Sequence, residues 1–152
     1  MAGPAVAACA GFLLAVLWLD LMFDSQVRRS GPALDEPALA SIAGYYHRVT
    51  TTSRRMLIAA VMAVLLGLLF LDALTGYSPG WLLALSVVLA GGPILLATLR
   101  TVPNAVRLGW RRGEPGEQTR LARAIYRDHM ICLICMLAFL VLWLVVALGW
   151  AK

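Results

Sequence analysis

The chain has 152 residues, of which 61% are hydrophobic and 14% charged, and its mean hydropathy is +0.82. This composition excludes an ordinary soluble domain of the same length and predicts a membrane protein, with one compact domain over residues 1–152. The net charge of +5 comes from arginines that flank apolar segments. No nucleic-acid motif accompanies them, so nucleic acid is not expected as a partner.

Four apolar segments follow one another along the chain, and each is long enough to cross about 30 Å of hydrocarbon as a helix of about 20 residues. The segments are continuously apolar rather than alternating, and lipid admits only helices or closed barrels, so strands are excluded. The sequence therefore predicts an all-α, integral membrane four-helix bundle. The expected helices cover about residues 4–24, 37–76, 81–101 and 117–150.

The first helix carries an aspartate in an apolar setting. Its opening residues lack the basic region of a cleavable signal peptide, so the segment is expected to be retained as a helix. Asp20 lies in "LWLDLMFD", about one turn from the inner end, and Asp24 follows four residues later, where it is expected to reach water. An ionisable group inside hydrocarbon is costly and needs a partner, so Asp20 marks a candidate site.

The second and fourth helices are expected to extend beyond the membrane. Asp35 has the features of an N-cap and Pro37 those of a first-turn residue, so the second helix should begin near Glu36 and project well below the bilayer. The fourth should begin just after the break at Pro115-Gly116.

Charge predicts the orientation of the chain. Twelve of the thirteen basic residues lie in the two long connections, and only Lys152 lies elsewhere. The positive-inside rule then places both connections in the cytoplasm and both termini outside. Tyr77, Trp81 and Trp150 would lie at the outer interface, where aromatic rings are favoured. The expected location is the inner (cytoplasmic) membrane of the cell, as a multi-pass protein.

The stretch "RDHMICLICML" contains a histidine and a C-x-x-C at the start of the fourth apolar segment. A structural zinc site needs four ligands, and a disulfide relay like that of the vitamin K epoxide reductase family needs a second cysteine pair, which the chain lacks. Cys132 and Cys135 are therefore expected to be reduced, small apolar residues, and no metal is expected. His47 and His129 are expected at different depths if the second helix is continuous, which disfavours a shared haem, whereas a kink at "VTTTS" would allow one.

Depth along the helices brings several polar residues to the inner boundary of the bundle. Asp20 and His129 are expected to meet there, in a buried polar cluster with Arg100 and Arg127, to which Asn104 is a further candidate. An interhelical salt bridge that fixes the bundle is favoured over catalysis or transport as its role.

The second half of the chain resembles small four-helix membrane proteins related to fungal anthrone oxygenases. The resemblance rests on "LRTVPNAVRLGWRR", with Pro103, Asn104 and Leu108, and on Arg127 and His129 at the start of the fourth helix. It implies cofactor-independent oxygenation of an electron-rich aromatic substrate. His129 would be the base, and Asn104 and Arg127 would orient or stabilise the oxyanion.

Three functions remain open at this point. The first in rank is a non-catalytic accessory or scaffold subunit of a larger membrane complex, because no complete catalytic constellation is visible. The second is an oxygenase-like enzyme acting on an aromatic or quinol-type lipophile. The third is a quinone- or pigment-binding module, with a cavity lined by Trp18, Trp143, Met62 and Met136. No cofactor is required by the first function, while the third implies a bound lipid, quinone or pigment. Expected partners are membrane lipids and other membrane subunits or a second copy.

Overall fold

A computed structural model of the chain describes residues 3–28 and 33–149, and every regular element in these residues is helical. The elements are α1 (Gly3–Asp24) with a 3₁₀ turn (Ser25–Arg28), α2 (Glu36–Thr51), α3 (Arg54–Thr75), α4 (Gly80–Gly109) and α5 (Pro115–Ala147). Among them α1, α3, α4 and α5 are long and apolar enough to cross a membrane. The prediction of an all-α, multi-pass membrane protein is confirmed. Trp150 and Lys152, which entered the predicted orientation, lie outside the described residues.

The start of α2 follows the capping pattern of the sequence. The Asp35 carboxylate accepts a hydrogen bond from the Ala38 backbone amide at 3.2 Å, and Pro37 occupies the first turn. The helix begins at Glu36, as predicted.

The single helix predicted over 37–76 was wrong, because the structure divides it at Thr52 and Ser53. Three threonines in a row turn their hydroxyls back onto the backbone of α2. Thr50, Thr51 and Thr52 donate to carbonyl oxygens of the preceding turn. Hydroxyl groups that bond locally in this way compete with the helical pattern, and here α2 ends and α3 begins as a separate helix.

Two prolines explain the irregular turns of α4. The helix has π-helical turns at Val87–Gly91 and Ala97–Thr101. Pro93 and Pro103 lack the amide that would bond to the carbonyls of Leu89 and Leu99, four residues earlier. Each π-helical turn contains one of these carbonyls, so the wider turns accommodate the missing bonds.

Two apolar cores hold the helices together. One lies among the membrane helices and includes Val6, Leu65, Leu82 and Phe139. Within this region Trp143 also donates to the Ser86 hydroxyl at 3.0 Å. The other core joins α2 to the ends of α4 and α5, and its most deeply buried members are Leu39, Ile42, Leu108, Ala122 and Ile125.

Helices α2 and α4 approach each other most closely at Gly109. A Cβ atom at this position would lie 2.7 Å from the His47 backbone nitrogen and 3.0 Å from the carbonyl carbon of Tyr46. Only a residue without a side chain fits between the two backbones. This contact fixes the part of α2 that carries Tyr45 and Tyr46.

Helix α3 is packed least deeply. Its buried residues are Leu65, Leu69 and Asp72, all in its second half. In the first half, Arg55, Ile58, Ala59 and Met62 line a pocket instead of a packed interface.

Candidate functional site

A pocket of about 280 Å³ lies between the membrane helices, with α2 closing one end. Its lining changes from polar to apolar along three helices in parallel. Seven residues, about 10 Å of helix, separate Asp20 from Leu13 on α1, Arg55 from Met62 on α3, and His129 from Met136 on α5. The volume is close to the lower limit of about 300 Å³ for ligand pockets. The pocket suits a small lipophilic molecule with one polar end.

At the polar end of the pocket, His129 is bonded to Asp24, which lies outside the pocket lining. The Nδ1 atom of His129 lies 2.7 Å from Asp24 Oδ2, and the Tyr46 hydroxyl donates to Asp24 Oδ1 at 2.6 Å. Asp24 is fully buried and does not line the pocket, whereas His129 and Tyr46 do. Where Asp24 is the acceptor of this contact, the Nδ1 atom is the donor and carries a proton. In a neutral imidazole, Nε2 is then an acceptor.

Asp20 lies on the other side of the imidazole ring. Its Oδ2 atom is 3.9 Å from His129 Nε2, and its Oδ1 atom accepts a hydrogen bond from the Tyr45 hydroxyl. Tyr45 stacks on Phe23, with ring centroids 4.0 Å apart. A distance of 3.9 Å is too long for a hydrogen bond, but one oxygen atom can lie about 2.8 Å from both groups. A ligand hydroxyl placed there has one proton, so it can donate to His129 Nε2 or to Asp20 Oδ2 but not to both.

The two tyrosines act as fixed hydrogen-bond donors to the carboxylates. Burial, followed by the nearby Asp20 carboxylate, raises the pKa of Tyr45. Burial and then the Asp24 carboxylate raise the pKa of Tyr46 well above its usual value. Both phenols therefore stay protonated at neutral pH and keep the two carboxylates oriented.

The structure divides the polar cluster predicted from the sequence into two parts. It brings Asp20 and His129 together, but Arg100 and Arg127 belong to a second group around Asp128. Arg100 Nε lies 3.3 Å and Arg127 Nε 3.9 Å from the Asp128 carboxylate, which is 1% exposed. The partner of both arginines in the structure is Asp128, which was not among the residues singled out from the sequence.

The remaining candidates are placed as follows. Asn104 is half-buried, does not line the pocket and makes no side-chain hydrogen bond within the described residues. Cys132 is a buried free thiol in the pocket wall, with its Sγ atom 3.8 Å from the Pro93 carbonyl oxygen, and Cys135 is also free. In residues 3–28 and 33–149, no three His, Cys, Asp or Glu side chains are grouped so as to hold a metal ion.

Of the four residues predicted to line a cavity, two line the pocket and two lie elsewhere. Met62 and Met136 line the pocket. Trp143 is buried in the core on Ser86, and Trp18 is 63% exposed on the outer face of α1.

Three residues of the polar site were not predicted from the sequence: Asp24, Tyr45 and Tyr46. Asp24 was expected to reach water, but the structure buries it completely. The available signal was its spacing of four residues from Asp20, which puts both carboxylates on one face of α1. The tyrosines had no signal of their own, since only the close contact of α2 with the other helices at Gly109 brings them to the carboxylates.

Comparison of the chain with models of protein families, with curated proteins and with solved structures finds no match.

Proposed function

We propose that this protein binds a small lipophilic molecule within the membrane and accepts a hydrogen bond from its hydroxyl head group through His129. The observation that carries the proposal is the position of His129: its Nδ1 atom is bonded to buried Asp24 at 2.7 Å, while the side chain lines an otherwise largely apolar pocket. A histidine that served only as an interhelical tie would not need to face a cavity of about 280 Å³.

The chemistry of the site favours a phenol or quinol as the ligand. Its ring would occupy the apolar region near Met62 and Met136, and its hydroxyl would donate its proton to His129 Nε2. Asp24 would stabilise a positive charge on the imidazole if the hydroxyl proton were transferred to Nε2. Tyr46 holds Asp24 in place for this role.

An oxygenase-like activity is the second candidate, because a base that faces the pocket is what formation of an aromatic anion requires. The proposal does not include Asn104 or Arg127, since neither lines the pocket. An accessory role in a larger membrane complex is compatible with ligand binding and stays a prediction.

The proposed orientation has both termini outside and the two arginine-rich connections in the cytoplasm of a cell whose inner membrane contains the protein. The positions of the arginines support it. In this orientation the polar end of the pocket lies toward the cytoplasm, and α2 and the start of α5 extend below the bilayer.

Labelling of single cysteines by a membrane-impermeant maleimide tests this orientation. Tyr77 and Glu114 are exposed residues on opposite connections, so Tyr77→Cys and Glu114→Cys form a matched pair. In intact cells we expect Tyr77→Cys to react and Glu114→Cys to react only after permeabilisation, with the wild-type chain as the background. The opposite labelling pattern would show that the topology is the reverse of the proposed one.

Affinity for matched probes tests the proposed ligand. In a nonionic detergent the purified protein should bind 4-butylphenol about tenfold more tightly than its methyl ether, 4-butylanisole, because one hydrogen bond to a buried group contributes about 1.4 kcal/mol. His129→Gln should reduce this ratio, which isothermal titration calorimetry would measure.

A variant that fills the pocket provides the control for location. Met62→Trp should weaken binding of both probes, while Phe70→Trp, an exposed position on the same helix, should leave binding unchanged. No saturable binding of either probe, or equal effects of the two tryptophans, would refute the proposed function.

A further inference from the structure

Arg55 is a cation at the polar end of the pocket that the proposed hydroxyl group does not use. It lies in the first turn of α3 and shares the lining with Thr98 and Thr101 of α4. Its side chain is exposed, and within residues 3–28 and 33–149 it has no hydrogen bond or ion pair. Of the described lining residues it is the one arginine.

Two other cations at this end of the molecule, Arg54 and Arg100, have partners. Arg54 lies over the Tyr45 ring, 5.6 Å from its centroid, and belongs to the charged surroundings of Asp20 together with His129 and Asp24. Arg100 is paired with Asp128. Arg55 differs from these two arginines, because its charge has no counterpart in the described chain.

The start of α3 adds to the positive potential at Arg55. The N-cap residue Ser53 makes no side-chain hydrogen bond to the first turn, and the turn contains no acidic residue. The helix dipole favours an anion at this point. The guanidinium group can hold two oxygen atoms of a carboxylate or phosphate at once.

We infer that the ligand of this pocket carries an anionic oxygen group, a carboxylate or a phosphate, that binds to Arg55 while the apolar body lies toward Met62 and Met136. The inference rests on the proposed function, since it concerns the same pocket. Asp20 does not oppose it, because the hydrogen bond from Tyr45 and the proximity of Arg54 offset its charge. The anionic group can belong to a free amphiphile or to the headgroup of a membrane lipid.

Paired aromatic probes that differ in one charge test the inference. The measured quantity is the ratio of the affinity for 4-butylbenzoate to the affinity for 4-butylbenzamide. This ratio should be about fivefold to tenfold higher for the wild-type protein than for Arg55→Gln. Partition of the probes into detergent is the same for both proteins and cancels in this ratio. Arg48→Gln is the matched control, because Arg48 is also exposed but does not line the pocket, and it should keep the wild-type ratio.

The two sources of the anion are separated by lipid composition. In nanodiscs of phosphatidylcholine the preference for benzoate should be present. If added phosphatidylglycerol removes it, a lipid headgroup occupies Arg55, and if the preference persists, the site selects a free amphiphile; both outcomes support recognition of an anion.

An equal ratio in wild type and Arg55→Gln would overturn the inference. If 4-butylphenol still bound in that case, the proposed function would stand and only the inference about Arg55 would fail. If none of the probes bound, both would fail.

Discussion

Replacement of Asp24 by alanine should destabilise the protein more than any other single substitution in the polar site. The change removes the acceptor of the Tyr46 hydroxyl and of His129 Nδ1, which keep only a contact of 3.4 Å with each other, in a region where Asp24 itself is fully buried. Breaking a buried pair by removing one partner costs about 3–5 kcal/mol. We therefore expect the apparent Tm in detergent to fall by about 10 °C, which differential scanning fluorimetry would measure.

Asp20→Ala is the matched control for this prediction. Asp20 accepts one hydrogen bond, from Tyr45, and its distance of 3.9 Å to His129 excludes a direct bond. Its loss should lower the Tm by less than half as much. Equal effects of the two substitutions would show that Asp24 does not anchor the site, and a larger effect of Asp20→Ala would restore the importance that the sequence alone suggested for it.

The milder Asp24→Asn separates stability from function. The amide oxygen still accepts a hydrogen bond from Tyr46, but the amide group can donate to His129 Nδ1. The proton of a neutral imidazole would then move to Nε2, so that the atom facing the pocket donates instead of accepting. This variant should keep most of its Tm and lose the preference for 4-butylphenol over 4-butylanisole. Retention of the full preference would contradict the assigned role of Asp24.

The second large effect is expected at Gly109. In Gly109→Val the new side chain meets the backbone of His47 and Tyr46, which cannot rotate away as a side chain can. Separation of α2 from α4 would also displace the tyrosines from Asp20 and Asp24. Overpacking of this kind costs about 1–3 kcal/mol, and the loss of the tyrosine hydrogen bonds adds to it.

Gly44→Ala is the control for Gly109→Val, because Gly44 lies in α2 and a Cβ atom there meets nothing within 4 Å. Alanine has a higher helix propensity than glycine, so Gly44→Ala should leave the Tm unchanged or raise it slightly. Gly109→Val should lower the Tm by several degrees. A Tm of Gly109→Val equal to that of the wild type would show that α2 can move away from α4 at little cost.

The membrane helices could be predicted from the sequence because their signal is local. Continuous apolar segments of sufficient length have few alternative structures in lipid, and the Asp35 cap depends on residues within one turn. The sequence suggested only a kink at "VTTTS" and not the end of a helix after Thr51, because hydrophobicity is the dominant signal in such helices, whereas the hydroxyl-to-carbonyl bonds of Thr51 and Thr52 depend on side-chain rotamers.

The site was predictable only in part. Depth along two helices was enough to suggest that Asp20 and His129 meet, because rise per residue fixes depth. Which arginine pairs with which carboxylate depends on the rotation of each helix, and the π-helical turn that contains Arg100 alters that rotation. The same reason explains why Asp128 was not recognised as the partner of Arg100 and Arg127.

Photoaffinity mapping tests most directly whether the pocket is a binding site. A 4-alkylphenol with a diazirine in its alkyl chain would be irradiated with the protein in phosphatidylcholine nanodiscs, and the modified residues would be identified by peptide mass spectrometry. The account predicts adducts at Leu13, Met62 or Met136, the apolar end of the pocket, and their loss when excess 4-butylphenol is added. Adducts confined to lipid-facing residues such as Phe70 and Leu99, unaffected by 4-butylphenol, would contradict it.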